Sequence, residues 1–276
     1  SFTKPLIAIQ KASKALGNGD LATRITTFDQ RSDEFGDLAR SFNQMAKQLE
    51  DNISAHQRLL GDVSHELRSP LTRLQLAVAL AEKNIGNKDE QQRHLSRCET
   101  EVDRLDEMIA DVLTLSRLEH SHNNFTAESV DLNTLVDQVI NDCQYFASSK
   151  KISIRLKGEI NAAILADGKL LVSAISNVLN NAVKYSPNGQ DVTVELTQQN
   201  QQLHLSVSDK GPGVPDGMLT QLFTPFFRVA DARDRSSGGT GLGLAIAQQA
   251  VHLHQGEIIA QNITPNGLKV IIILPR

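Results

Sequence analysis

Along the first 120 positions apolar residues recur at steps of three and four, the spacing that gathers them on one face of a helix. Leu6, Ile9, Ala12 and Leu16 form a first stripe, and Gly17-Asn18-Gly19-Asp20 ends it with turn chemistry. Leu21 to Arg31 is polar and Thr-rich, which predicts a strand-like connector. Asp33-Glu34 then opens a helix with Phe35, Leu38, Phe42, Met45 and Leu49 at the heptad spacing of a coiled-coil seam. The seam continues through Ile53, His56, Leu60, Val63, Leu67, Leu71, Leu74 and Val78, with an eleven-residue stutter around Leu49. Asn84-Ile85-Gly86-Asn87 breaks this helix, and a return helix carries Leu95, Cys98, Val102, Leu105, Ile109 and Val112. Two long helices with one apolar face each bury that face poorly as a lone hairpin. Two hairpins together make a four-helix bundle, so the pattern predicts a homodimer.

From about residue 125 the texture changes. Short alternating or apolar runs at 152–156, 192–196, 203–208, 257–261 and 268–274 read as strands, and helical patterns lie between them at 132–148, 169–185 and 243–254. Hairpin-like pairs dominate, which predicts an α+β sandwich rather than a doubly wound parallel sheet. The whole is a multi-domain chain, with expected boundaries at 1–53, 54–122 and 123–276.

Composition narrows the chemistry. At 276 residues the chain has room for several small cores. A hydrophobic content of 40% without any run of about 20 apolar residues argues against a membrane span within it. The net charge of −4, the absence of Trp and an aromatic content of 4% argue against a nucleic-acid surface. Cys98 and Cys143 have neither CxxC spacing nor clustered histidines, so two free thiols in a reducing compartment are expected. No signal peptide is evident. The chain begins abruptly at Ser1, as though cut from a longer protein.

His65 lies about 200° of helical rotation from both Val63 and Leu67, on the solvent side of its helix. An unprotonated imidazole is a good nucleophile. Glu66 stands close enough to take the proton from the ring nitrogen that does not attack. Pro70 removes an N–H and crowds the carbonyl of Glu66, so a bend one turn beyond His65 is expected. An isolated surface histidine carries no meaning by itself, but here the run reads Asp62-Val63-Ser64-His65-Glu66-Leu67-Arg68-Ser69-Pro70-Leu71-Thr72-Arg73-Leu74-Gln75-Leu76. It resembles the phosphoacceptor box of sensor histidine kinases. The first 53 residues resemble a HAMP signal relay through Pro5, Asp33-Glu34-Phe35-Gly36-Asp37-Leu38 and Phe42-Asn43-Gln44-Met45. The wording around His65, with Ala232-Arg233-Asp234-Arg235 before a glycine loop, is most similar to Cpx-type envelope-stress kinases of Gram-negative bacteria.

The C-terminal stretch carries nucleotide boxes in the order shared by GHKL ATPases of the gyrase, Hsp90 and MutL types. Asn177, Asn181, Lys184 and Tyr185 fall on one helix face. The resemblance implies that Asn181 binds Mg²⁺, for which an amide oxygen is a hard neutral ligand, while Lys184 and Tyr185 approach ATP. Asp209-Lys210-Gly211-Pro212-Gly213 follows a strand, where a carboxylate can accept from an adenine amino group and glycines admit the base. Gly239, Thr240, Gly241, Leu242, Gly243 and Leu244 open a helix whose free N–H groups favour phosphate. Phe223 and Phe226 read as anchors of a lid, and Arg228, Arg233 and Arg235 as candidates to meet phosphate.

The resemblance implies autophosphorylation of His65 from Mg-ATP and transfer to an aspartate of a response regulator. It also implies a phosphatase activity in which the residue four after the phosphoacceptor orients water. That residue is Ser69, where the family usually has Thr or Asn, so a hydroxyl is kept and a methyl lost. Expected partners are a second copy, the regulator and, through absent upstream helices, the inner membrane, with this region cytoplasmic. Two other readings share some of these residues: a GHKL-type ATPase acting as a conformational clamp, and a non-catalytic dimeric relay.

Overall fold

A computed structural model describes residues 3–119, 125–160, 163–229 and 239–276. Its contacts divide the chain into two compact units, Ser1–Ser69 and Pro70–Arg276.

The first unit holds α1 (Thr3–Gly17) and the first part of α2 (Glu34–Lys83). Gly19 at φ +95° turns the chain after α1, and the Asp33 carboxylate accepts from Gly36 N at 3.3 Å where α2 begins. Ala12, Leu16, Ile25, Ala39, Phe42 and Ala46 form the core, with Ile9, Leu21 and Phe28 packed on it. One expectation changes here. The connector Leu21–Arg31 is a run of turns and bends, not a strand. Its backbone is satisfied by a side chain instead: Ile25 N donates to Asn43 Oδ1 at 2.7 Å, and Asn43 Nδ2 donates to Ile25 O at 2.9 Å. Within the unit, Phe42 of the heptad seam meets the core together with Ala39 and Ala46. Ala39, Phe42 and Ala46 are buried, whereas Leu38, Met45 and Leu49 are exposed, Met45 by 51%. Small alanines let α1 approach, and the larger seam residues are left open.

α2 remains helical through Pro70 to Lys83. In the second unit, Asn84 Nδ2 donates to Leu80 O at 2.8 Å and Asn87 Oδ1 accepts from Glu90 N at 3.3 Å, closing α2 and opening α3 (Lys88–Glu119). Arg73 and Glu101 join the two helices through paired bonds of 2.7 and 2.8 Å. The guanidinium holds the Glu101 carboxyl below the usual carboxylate range.

The rest of the second unit is an α+β sandwich. β1 (Glu128–Asp131) and β3 (Ala163–Ala166) pair antiparallel as a small sheet, which the sequence patterns did not anticipate. Five longer strands form the main sheet in the order β2-β4-β5-β7-β6. They are β2 (Ser153–Lys157), β4 (Asp191–Gln199), β5 (Gln202–Ser208), β6 (Glu257–Asn262) and β7 (Leu268–Pro275). Only β2–β4 is parallel. Alternation along β4 and β7 buries Val192, Val194 and Leu196 and Leu268, Val270, Ile272 and Leu274. Against this sheet lie α4 (Leu132–Ser149), α5 (Gly168–Tyr185) and α6 (Gly243–Leu253). A 3₁₀ helix covers Asp216–Phe223.

Replacing Asn43 with Ala would leave the Ile25 N–H and C=O without protein partners, at a cost of about 2 kcal/mol. The expected result is an earlier urea transition of the N-terminal unit with faster amide exchange at Ile25. Unchanged exchange at Ile25 would show that the Asn43 amide does not hold the connector.

Candidate functional site

Helix α5 is the spine of the site. Asp167 caps it by accepting from Lys169 N and Leu170 N at 3.1 and 3.2 Å. Its apolar face buries Leu171, Ala174, Ile175, Val178, Leu179, Ala182 and Val183. Asn177, Asn181 and Lys184 are left half-buried and Tyr185 exposed along the remaining edge. Lys150, from just beyond α4, donates to the carbonyls of Val183, Lys184 and Ser186 at 2.8, 2.6 and 2.9 Å. It thereby closes the C-terminal end of α5 with a cation.

Three glycine-bearing segments come up against that edge. A Cβ on Gly211 would lie 2.8 Å from Tyr185 O, and one on Gly243 would lie 2.7 Å from Asn177 Oδ1. A Cβ on Gly239 would collide with Lys184 Nζ. Gly241, at φ +75°, leaves no room for a side chain against the backbone of Phe226, whose own φ is +62° and whose N–H donates to Gly241 O at 3.0 Å. At Gly211 and Gly241 the obstacle is backbone and only glycine permits the approach, while at Gly239 and Gly243 it is the end of the Lys184 or Asn177 side chain. These approaches form a cradle lined by backbone N–H groups where α6 begins.

Asp209, 4% exposed, ends β5. Its Oδ1 accepts from Gly211 N at 2.8 Å and Leu268 N at 3.0 Å, leaving Oδ2 without a hydrogen bond among the described residues. Burial pushes this carboxyl up, and the two backbone donors pull it back toward the ionised form. Gly213, at φ +73°, shapes the following turn. Asn262 pins that turn through Val214 N, Val214 O and Asp216 Oδ1 at 2.9, 2.6 and 2.7 Å.

Lys184 is pushed down to about 8. Burial is the main cause; Arg228, Arg104 and Lys150 add repulsion, and Glu107 opposes them. A desolvated lysine beside other cations is a site short of negative charge. Leu242 and Leu244 are buried as core, so only their backbone can meet a ligand. Thr240 donates to Asp111 Oδ2 at 2.7 Å and accepts from Leu242 N at 3.2 Å. Burial raises the Asp111 carboxyl, and the Thr240 bond offsets part of that. Phe223 is buried and Phe226 half-buried. Arg233 and Arg235 lie outside the described residues.

Gly211, Gly239 and Gly243 therefore meet the α5 edge at Tyr185, Lys184 and Asn177, an arrangement whose half-buried cation could meet a polyphosphate and whose buried Asp209 could accept from an amino group. Asn181 lies one turn before Tyr185 on the same helix. Among the described residues no cluster of His, Cys, Asp and Glu could hold a metal ion, so a divalent cation would depend on Asn181 and the phosphates themselves. Lys150, Asn262 and Asp111 were not expected. A helix end always needs donors for its last carbonyls, but no pattern in the sequence says which lysine will supply them.

His65 is exposed on α2, beside a half-buried Glu66 and an exposed Ser69. Ser64 Oγ donates back to Leu60 O at 2.8 Å, which keeps that hydroxyl on its own helix.

Three family models match consecutive parts of the chain. The HAMP domain matches residues 1–51, the His Kinase A (phospho-acceptor) domain 55–121, and the Histidine kinase-, DNA gyrase B-, and HSP90-like ATPase 166–276. The sensor histidine kinase CpxA of Escherichia coli (strain K12) is 36% identical over 276 residues, which is 100% of this chain and 59% of that protein. The chain thus spans about three fifths of the length of this relative. Full-length ShkA in complex with AMPPNP is 26% identical, with a TM-score of 0.58 over 79% of this chain and 45% of that one. The histidine kinase ThkA in complex with the response regulator TrrA shares the fold at 19% identity, with a TM-score of 0.69 over 84% of this chain and 65% of that one.

A phosphate ligand favours the ammonium form of Lys184, so ATP binding should take up a proton at pH values above about 8. Affinity should be level below that pH and fall above it, by at most about tenfold per unit. Calorimetry in buffers of different ionisation enthalpy checks this at pH 8.5. Lys184→Met should abolish both the uptake and the pH dependence.

Proposed function

The chain belongs to the HAMP-containing sensor histidine kinases, close to the Cpx-type among them, and on that premise we propose that it transfers the γ-phosphoryl of ATP to its own His65. The observation that carries this reading is the convergence on α5 of an amino-group acceptor at Asp209, a desolvated cation at Lys184 and a glycine cradle opening α6. The exposed His65, with Glu66 next to it, supplies the acceptor.

In this mechanism Asp209 and the Gly211 turn hold the base, and the backbone of Gly239 to Gly243 with Lys184 and Arg228 takes the phosphates. Mg²⁺ held by Asn181 and phosphate oxygens would offset charge on the transferring group. The unprotonated ring nitrogen of His65 attacks phosphorus in line with the leaving ADP, and Glu66 accepts the proton from the other nitrogen. Positioning supplies most of the rate. The phosphohistidine then passes its phosphoryl to an aspartate of a response regulator, and Ser69 orients water for the reverse dephosphorylation.

The open apolar stripes of α2 and α3, with Leu60 exposed by 57%, support association of two copies as a four-helix bundle. Among the described residues no helix is long and apolar enough to cross a membrane. We assign attachment to the inner membrane to segments preceding the HAMP region, with this region in the cytoplasm, as in a Gram-negative envelope-stress sensor.

Incubation with γ-labelled Mg-ATP tests the central step. Acid-labile, alkali-stable label should appear on the wild type and be lost in His65→Ala. Label that survives the substitution would move the acceptor elsewhere, and ATP hydrolysis without any protein label would favour the clamp-type ATPase. Ser69→Ala should keep autophosphorylation while slowing release of phosphate from the phosphorylated regulator by about tenfold or more. Equal loss of both activities would place Ser69 in the kinase step or the fold instead.

A further inference from the structure

Arg104, Met108 and Asp111 follow one another along α3 at steps of four and three, so they share a stripe. α3 packs on α6, the helix that the glycine cradle opens. Three observations place this stripe at the nucleotide cradle. Asp111 Oδ2 accepts from the Thr240 hydroxyl at 2.7 Å. Glu107 and Arg104 both act on the Lys184 ammonium, the first attracting and the second repelling it. Met108, between Arg104 and Asp111 on this stripe, is 1% exposed. Arg104 Nε is buried without a hydrogen-bond partner.

The hairpin helix therefore presents acidic oxygens to groups that a triphosphate also needs. Asp111 occupies the Thr240 hydroxyl, and Glu107 supplies part of the negative charge that Lys184 lacks. Phosphates entering the cradle bring several more negative charges into a partly desolvated region, where like charges repel strongly. Both anions cannot be accommodated there at full strength. We propose that Asp111 is a latch that holds the glycine loop against α3 while the cradle is empty, and that ATP expels it, so that nucleotide binding and docking on α3 oppose each other. This rests on the nucleotide reading of the cradle given above. By linkage, docking weakens ATP binding by the same factor by which ATP weakens docking. ATP would thus free its own domain from the hairpin helix, a freedom that domain needs for transfer to His65.

The test uses the whole chain. Asp111→Asn removes the charge with little change of shape, and ATP should bind it on the order of fivefold more tightly or better, within the usual range of such couplings. Hydroxyl-radical footprinting follows the stripe through Met108, which lies between Arg104 and Asp111 and is 1% exposed, with Met45 and Met218 as exposed internal references. Saturating ATP should raise oxidation of Met108 relative to those two in the wild type, and Asp111→Ala should raise it without ATP, with an unchanged circular dichroism spectrum as the check on folding. Unaltered or weaker ATP binding by Asp111→Asn would overturn the latch, as would Met108 remaining protected with ATP bound. A wild type that binds no ATP would instead remove the nucleotide site, and the latch with it.

Discussion

Helix α5 has to be approached more closely than side chains allow. Its apolar face is consumed by the core, through Leu171, Ala174, Ile175, Val178, Leu179, Ala182 and Val183, and its remaining edge carries every polar group that the cradle needs from it. Gly211, Gly239 and Gly243 meet that edge at distances where any Cβ would have to displace Tyr185, Lys184 or Asn177. The glycines are therefore a packing requirement of α5 as much as a phosphate-binding device. Phe226 shows what the closeness costs: a bulky residue is held at φ +62° so that its backbone can pair with Gly241. Lys150 serves the same constraint from the far end, since its three carbonyl bonds fix where α5 stops and so where Lys184 and Tyr185 stand.

Charge follows from that packing. Burying Lys184 at the end of α5 would be unfavourable anywhere else, and the neighbouring Arg228 and Arg104 make it more so. Asp209 is the mirror case. Its carboxyl is more deeply buried, but two backbone N–H groups offset part of the penalty. On the proposed reading one end of the cradle offers the Lys184 ammonium to an anion and the other the Asp209 carboxylate to a hydrogen-bond donor, both held in place before any ligand arrives. Such preorganisation is what makes fixed dipoles effective at a reacting group.

Much of this was legible in the sequence because it was local. Period-two runs at 192–196, 203–208 and 268–274 became β4, β5 and β7 with ends that coincide or shift by at most three residues, and Asn84 to Asn87 separate α2 from α3 through their own short-range bonds. The connector after Leu21 is not strand-like because Asn43, eighteen residues from Ile25, satisfies the N–H and C=O of Ile25 with one amide. Heptad spacing locates an apolar stripe without saying which partner will cover it, and Leu38, Met45 and Leu49 stay open in the single chain. Alanines at 39 and 46, weak in any hydrophobic pattern, turned out to be the fully buried positions. The small β1–β3 pair has only four residues per strand, too few for alternation to register. Asp111 and Thr240 are 129 residues apart, and no periodicity links them.

α3 resolves what would otherwise be a conflict between two demands on one helix. Met108, Leu115 and Leu118 are buried, while Leu95, Val102 and Ile109 on a neighbouring stripe remain exposed. Consecutive positions such as Met108 and Ile109 differ by about 100° around a helix, so the two stripes are separate surfaces rather than one shared between partners. The face bearing Asp111 can meet the nucleotide domain while the face bearing Ile109 stays open for a second copy. A change at the first surface then need not break the second. On the reading proposed above, that separation would let a bundle remain associated while the domain attached to it docks and departs.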